Sequence, residues 1–137
     1  MSRILLDTSA YSAYMEGHPE LQEPVRRATG VHLNAVVVGE LLAAFKKGSR
    51  TRQNEERLRR FVAVSRVRIM NVDDETAVRY AAIKDNLRRE GTPIPTNDLW
   101  IAATASQHGL RLQTLDAHFL RVPQIIVDFF ESIAPAK

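Results

Sequence analysis

Short apolar runs alternate along the chain with longer segments in which apolar residues recur every three or four positions. The short runs are typical of buried strands and the longer period is typical of helices. Strands are predicted over residues 4–6, 31–33, 67–72, 110–115 and 125–127. Helices are predicted over residues 10–16, 20–28, 35–47, 51–65, 74–89 and 97–108, with a helical turn at 117–120. Because strands alternate with helices, we expect an α/β fold with a mostly parallel sheet, formed as one domain over residues 1–137.

The segment after Pro95 carries the clearest of these patterns. Its helix is apolar almost all round, which is typical of a helix buried in a protein interior. Thr96 or Asn97 is expected to cap the start of this helix, and Gly109 is expected to end it. The chain therefore places one helix and the strand after it at the centre of the fold.

Four acidic residues lie at the ends of predicted strands or near the starts of the helices that follow them. Asp98 is in the first turn of the buried helix, and Asp116 comes directly after the strand at 110–115. Asp7 ends the first apolar run, and Glu40 lies near the start of the helix at 35–47. Ligand sites of parallel α/β sheets lie outside the carboxyl ends of the strands. The four carboxylates can therefore converge on one site.

Two of these acids also have a purely structural interpretation. Asp7 lies beside Thr8 and Ser9, and residues of these types commonly cap a helix or form a turn. Glu40 could form a salt bridge with an arginine, or lie exposed near the start of its helix. Position alone leaves these interpretations open.

Composition narrows the class of protein. The chain has 137 residues, 45% of them hydrophobic and 26% charged, which is an ordinary globular balance. It has no cysteine, so no disulfide framework or thiolate metal site is expected. The sequence has no pattern of a signal peptide, and no apolar run approaches the roughly 20 residues of a membrane helix. We therefore expect a soluble cytoplasmic protein without a membrane association.

The net charge of +3 is unevenly distributed, because basic residues are concentrated between positions 46 and 68. Such a local positive field suits a polyanion such as RNA. The alternative is a solvated helix face whose arginines pair with Glu55 and Glu56. The candidates for contacts to RNA are Lys46, Lys47, Arg50, Arg59 and Arg60.

Four carboxylates in one pocket require counter-charge. Two unit charges about 4 Å apart repel by roughly 4 kcal/mol at an effective dielectric constant near 20. Oxygen ligands without thiolates suit Mg²⁺ or Mn²⁺. Acid-bound ions of this kind commonly serve phosphoryl chemistry, in which they activate water and stabilise the leaving oxygen.

Four short motifs, taken in order, resemble the PIN domain, and the match is closest to the VapC-type toxins of bacterial toxin–antitoxin pairs. The motifs cover essentially the whole chain in order, so their combination is far more specific than any one of them. They are residues 5–9 (Leu-Leu-Asp-Thr-Ser), 39–41 (Gly-Glu-Leu), 97–105 (Asn-Asp-Leu-Trp-Ile-Ala-Ala-Thr-Ala) and 112–119 (Leu-Gln-Thr-Leu-Asp-Ala-His-Phe).

The resemblance implies a three-layer α/β/α PIN-like fold and a metal-dependent endoribonuclease that leaves a 5′-phosphate and a 3′-hydroxyl. It implies that Mg²⁺ or Mn²⁺ is held mainly by Asp7 and Asp98, with Glu40 and Asp116 completing the cluster and orienting water. It also implies a homodimer and a VapB-like antitoxin that covers an apolar groove. Tyr11, Tyr14, Leu58 and Phe61 are candidates for this groove, and packing in the core is the alternative for each of them. The residues that it places around the cluster are Ser9, Thr114 and Asn97.

Two other functions compete with this one. Asp-nucleophile phosphatases also place an aspartate after the first strand, but they normally have a second aspartate two positions later, where this chain has Ser9. A catalytically inactive RNA- or protein-binding module could use the same fold, because a fold does not fix a function. A complete acidic quartet argues against loss of activity.

Overall fold

The computed structural model describes residues 2–133, which form five strands and six α-helices with one 3₁₀ helix. The strands are β1 (Arg3–Leu6), β2 (Gly30–Asn34), β3 (Val67–Met70), β4 (Arg111–Thr114) and β5 (Ile126–Phe129). The helices are α1 (Thr8–Met15), α2 (Pro19–Arg27), α3 (Ala35–Lys47), α4 (Thr51–Val62), α5 (Asp74–Glu90) and α6 (Thr96–His108), and the 3₁₀ helix spans Ala117–Arg121.

The strands form a single parallel sheet in the order β3-β2-β1-β4-β5. Leu5 of β1 lies opposite His32 of β2 on one side and Leu112 of β4 on the other. Successive β1 residues point to opposite faces of the sheet, yet Ile4, Leu5 and Leu6 are all buried, so helices cover both faces. The α/β fold with a parallel sheet flanked by helices, expected from the sequence, is confirmed.

This strand order places a topological switch between β1 and β4. The chain proceeds from β1 outward to β2 and β3, then returns to β4 on the other side of β1 and ends at β5. Parallel α/β sheets bind ligands in the crevice that such a reversal opens at the carboxyl ends of the strands. Asp7 and Asp116 follow these two strands, so both lie at the crevice.

Helix α6 is buried as its apolar pattern predicted. Its buried residues include three alanines, and Gly109 ends it with a φ of 64°, a left-handed conformation that suits glycine. The expected side-chain cap at Thr96 or Asn97 is wrong. Pro95 is the N-cap and no side chain caps the helix. Asn97 lies inside the first turn, where its amide is free to contact another helix.

Other boundaries differ from the prediction by a few residues. Helix α5 extends to Glu90, and Asp73 caps its start through a capping box with Thr76. Helix α4 ends at Val62, before the predicted limit, and β3 stops at Met70. β3 lies at the edge of the sheet and pairs only with β2. No helix among residues 2–133 is long and apolar enough to cross a membrane.

Candidate active site

Asp7 lies at the junction of β1 and α1, where it is the N-cap of the helix. Its Oδ1 accepts hydrogen bonds from the backbone N–H of Ala10 (2.8 Å) and the hydroxyl of Ser9 (2.7 Å), and its Oδ2 accepts one from the hydroxyl of Thr114 (2.5 Å). The residue is only 2% exposed. Burial raises the pKa of Asp7 to about 6 from an ordinary 3.8, although the three hydrogen bonds oppose the shift and the charge of Asp116 adds to it. The structural interpretation of Asp7 as a helix cap is therefore correct. In addition, ionisation of its carboxyl group has a free-energy cost because the group is buried.

Two hydroxyl groups tie this junction to β4. The hydroxyl of Ser9 accepts a hydrogen bond from the backbone N–H of Leu115 at 3.0 Å while it donates to Asp7. The hydroxyl of Thr114 likewise accepts from the N–H of Asp116 at 2.9 Å while it donates to Asp7. Each hydroxyl therefore fixes one oxygen of Asp7 relative to the strand end that carries Asp116. Neither Thr8 nor Ser9 caps α1, because the helix begins at Thr8, two residues before the predicted start, and both hydroxyls donate to acidic side chains.

Glu40 is held by one residue from α1 and one from α6. Its Oε1 accepts a hydrogen bond from the hydroxyl of Thr8 at 2.7 Å, and its Oε2 accepts one from the amide of Asn97 at 3.2 Å. The structural alternative of a salt bridge with an arginine is wrong among residues 2–133, because both of these partners are neutral and leave the charge of Glu40 uncompensated. Asn97 lies beside the acids, as the sequence suggested, and it contacts Glu40.

Asp98 faces a histidine that the sequence reasoning did not select. Nε2 of His118, in the 3₁₀ helix, lies 2.6 Å from Oδ2 of Asp98. This is the distance of an ion pair, and Nε2 is buried on the side of the imidazole that faces the acids. Burial raises the pKa of Asp98 above its ordinary value, the nearby His118 opposes this shift, and the charges of Asp116 and Glu40 add to it.

All four acids line one open cavity of about 580 Å³ at the carboxyl edge of the sheet. Donor atoms of Asp98, Asp116 and His118 lie within 4.8 Å of one another. Asp7 and Glu40 line the same cavity, which has no lysine or arginine in its lining as far as residues 2–133 are concerned. Its lining residues are Asp7, Thr8, Ser9, Glu40, Pro95, Thr96, Asn97, Asp98, Asp116 and His118.

Comparison with known proteins identifies the family to which the chain belongs. Residues 4–125 match the PIN domain. The chain belongs to the PIN domain family. It is 33% identical over 118 residues to ribonuclease VapC5 of Mycobacterium tuberculosis, a match that covers 84% of each chain. The resemblance to PIN domains of the VapC type, inferred from the four motifs, is confirmed.

Solved structures agree with this assignment. A chain in the crystal structure of DNA-bound VapBC from Salmonella typhimurium has a TM-score of 0.82 and 26% identity, and the match covers 94% of this chain and 98% of that chain. A chain of VapBC-5 from Mycobacterium tuberculosis, a member of the VapBC family of toxin–antitoxin systems, has a TM-score of 0.71 and 25% identity, with 96% and 100% covered. The similarity extends over nearly the whole of both chains in each case.

The side chains of this PIN domain fit a divalent cation. The cavity offers carboxylate oxygens, the ligands that Mg²⁺ and Mn²⁺ prefer, and the imidazole nitrogen of His118 beside them. Oδ2 of Asp7 and both oxygens of Glu40 each accept only one hydrogen bond from residues 2–133, so each keeps a lone pair for a ligand. Without a cation, four carboxylates would face one another across a partly dehydrated pocket.

The predicted RNA contacts lie away from this cavity. Within residues 2–133, none of the five predicted RNA-binding residues lines the acidic cavity. Lys46 lies 3.5 Å from Glu55, and Arg59 and Arg60 both pair with Glu56. These ion pairs fit the alternative interpretation of the basic stretch, that of a solvated helix face. The remaining two candidates, Lys47 and Arg50, lie at the end of α3 and just before α4.

Two other arginines of the basic stretch, Arg57 and Arg66, donate hydrogen bonds to backbone carbonyls. Arg57 donates to the backbone carbonyl of Met15 at the end of α1. Arg66 donates to the carbonyls of Val25 and Ala28 at the end of α2. Cations at these positions satisfy carbonyl groups that helix ends leave unpaired. Part of the positive charge between positions 46 and 68 therefore stabilises the fold.

The candidates for an apolar groove divide into two kinds. Tyr11 and Leu58 are core residues, 3% and 4% exposed, so core packing is the better interpretation of both. Tyr14 and Phe61 are only partly buried and line a shallow depression beside Arg57 and Arg60. The ring of Phe61 packs edge-to-face on Tyr11 with centroids 5.3 Å apart.

Proposed function

We propose that this protein is a metal-dependent endoribonuclease, the toxin of a toxin–antitoxin pair, that hydrolyses RNA phosphodiester bonds. The observation that carries the proposal is the convergence of Asp7, Glu40, Asp98 and Asp116 on one open cavity without a cationic side chain in its described lining. Membership of the PIN domain family and the similarity to ribonuclease VapC5 support it. The cavity is open to solvent, so a strand of RNA has access to it.

Asp7 and Asp98 are the main ligands of a Mg²⁺ or Mn²⁺ ion in this proposal, and Glu40 and Asp116 complete the cluster. When bound, the ion supplies Lewis acidity for the attacking water and positive charge for the phosphate. Burial makes the charged forms of Asp7 and Asp98 costly, so both carboxylates favour a cation.

The other polar groups orient the acids. Ser9 and Thr114 fix the plane of the Asp7 carboxylate, and Thr8 and Asn97 fix that of Glu40. The remaining lone pairs of Glu40 can accept a hydrogen bond from water. In the hydrolysis, the water oxygen bonds to phosphorus and the bond from phosphorus to the 3′ oxygen breaks. The 3′ oxygen takes a proton and leaves as a hydroxyl, and the other product carries a 5′-phosphate.

The basic residues would guide the RNA backbone towards this cavity. Lys46, Lys47, Arg50, Arg59 and Arg60 are all exposed. Contacts between such side chains and phosphates release counterions, so binding would weaken as salt rises. Their ion pairs with glutamates are exposed and individually weak, so they would not prevent these contacts.

Inhibition by a VapB-like antitoxin and assembly as a homodimer in the cytoplasm complete the proposal. The solved VapBC structures with similar chains support an antitoxin partner. The partly exposed rings of Tyr14 and Phe61 offer the apolar part of a docking surface for it. An antitoxin that also reached the cavity would block access of the RNA.

The test is cleavage of a mixed RNA substrate by the purified protein. We expect cleavage with Mg²⁺ or Mn²⁺, none with EDTA, and none from Asp7→Asn or Asp98→Asn in either metal. Glu23→Gln, at an exposed acid of α2, is the matched control and should cleave normally. Binding of RNA without cleavage would favour the inactive module, and a phosphorylated Asp7 would favour the phosphatase. Activity retained in both Asn variants would contradict this site.

A further inference from the structure

His118 is the one imidazole in the described lining of the acidic cavity. It lies two residues after Asp116, in the 3₁₀ helix that follows β4. The next residue, Phe119, is fully buried, with its ring 4.9 Å from the imidazole, so the core fixes the turn that carries His118. The side chain of His118 is 22% exposed, and its Nε2 is directed at the acids rather than at solvent. The imidazole is therefore held in place at the cavity.

The imidazole of His118 and the carboxylate of Asp98 are in direct contact. Nε2 and Oδ2 are 2.6 Å apart, the distance of an ion pair. Two ligands at right angles on an ion about 2.1 Å away are about 3 Å apart. A donor atom of Asp116 lies within 4.8 Å of both atoms. The three groups therefore lie close enough together to bind one cation.

We propose that Nε2 of His118 is a direct ligand of the divalent ion held by Asp98 and Asp116, and that this nitrogen makes the site prefer Mn²⁺ to Mg²⁺. The inference rests on the proposed function, since it concerns the same ion. Mg²⁺ is a hard cation that prefers oxygen ligands, whereas transition-metal ions accept imidazole nitrogen readily. Replacing one oxygen ligand with nitrogen therefore weakens Mg²⁺ binding relative to Mn²⁺ binding.

Pulsed electron paramagnetic resonance of the protein with Mn²⁺ alone, without RNA, tests the proposal. A coordinated imidazole couples its nitrogen nucleus to the unpaired electrons of Mn²⁺. We expect this coupling in the wild type and in His108→Gln, which removes a histidine at the far end of α6. We expect no coupling in His118→Gln. Calorimetric titration should show that His118→Gln raises the Kd for Mn²⁺ at least about tenfold and the Kd for Mg²⁺ less than about threefold.

The outcomes separate this inference from the proposed function. Mn²⁺ bound without nitrogen coupling in the wild type would show that His118 only orients Asp98, and would leave the nuclease proposal intact. Absence of any Mn²⁺ or Mg²⁺ binding would contradict both proposals. If His118→Gln fails to fold, the wild type labelled with ¹⁵N-histidine replaces it. A change of the coupling on labelling would support the ligand, and an unchanged spectrum would contradict it.

Discussion

Replacing Asp7 with asparagine should stabilise the metal-free protein at neutral pH, although it removes a residue at the centre of the site. Burial raises the pKa of Asp7 from 3.8 to about 6, so its ionised form disfavours the folded state. A shift of about 2 pKa units corresponds to about 3 kcal/mol of unfolding free energy. The asparagine side chain would remain neutral at every pH and would not carry this cost.

The gain is reduced because an amide cannot reproduce all the hydrogen bonds of the carboxylate. Oδ1 of the asparagine can still accept from Ser9 and Ala10, but its Nδ2 would face the hydroxyl of Thr114, which now donates to Oδ2. That hydroxyl would have to accept instead and would lose its own acceptor, at a cost of about 1 kcal/mol. The expected net gain at pH 7.5 is therefore about 1 to 2 kcal/mol.

The sign of the effect depends on pH. Because the pKa of Asp7 is raised in the folded state, its contribution to stability is fully present below about pH 3.8 and is lost as the pH rises through about 6. The advantage of Asp7→Asn should therefore appear between these pH values. Below pH 4 Asp7 is itself neutral, so the advantage should vanish and the variant should be about as stable as the wild type.

Urea unfolding followed by circular dichroism, in EDTA at pH 7.5 and at pH 4, measures both values. Glu23→Gln is the control for loss of an exposed negative charge, and its unfolding free energy should change by less than about 0.5 kcal/mol. Lower stability of Asp7→Asn than of the wild type at pH 7.5 would refute the reasoning. An advantage of the same size at both pH values would refute it as well, since it would not arise from ionisation.

Two further perturbations address the cation and the basic surface. Mn²⁺ at about 100 times its Kd should raise the unfolding free energy of the wild type by about 2.7 kcal/mol, and that of Asp98→Asn far less. Thermal unfolding with Mn²⁺ and with EDTA measures both shifts. Equal shifts in the two proteins would contradict Asp98 as a ligand. Arg59→Glu combined with Arg60→Glu should weaken the binding of RNA to the metal-free protein and reduce the salt dependence of that binding. Fluorescence anisotropy at several salt concentrations measures both effects, and Arg26→Glu is the control. Unchanged binding would assign the two arginines to a solvated face.

The position of the site could be predicted because it follows from local pattern. The apolar run before Asp7 predicted a strand that ends at that residue, and the helix that begins at Thr96 was recognisable as buried because it lacks a polar face. In a parallel sheet, these positions meet at one edge whatever the details of packing. Glu40 was also selected from its position, and the resemblance to PIN domains favoured its functional role over the structural alternatives that position left open.

The finer contacts could not be predicted, because they depend on the relative placement of helices. Thr8 donates to Glu40 only because α1 packs beside α3, and no local signal indicates that contact. His118 reaches Asp98 because the turn after β4 is a 3₁₀ helix directed towards α6. The spacing of Asp116 and His118, an acid and an imidazole two residues apart, was a signal that could have identified His118.

Anomalous diffraction from crystals grown with Mn²⁺ tests most directly whether the four acids form one cation site. We expect a single strong peak in the cavity, within ligand distance of carboxylate oxygens from both Asp7 and Asp98, and no such peak in crystals of Asp98→Asn. An empty cavity at saturating Mn²⁺, or a peak that contacts neither Asp7 nor Asp98, would contradict the proposed site.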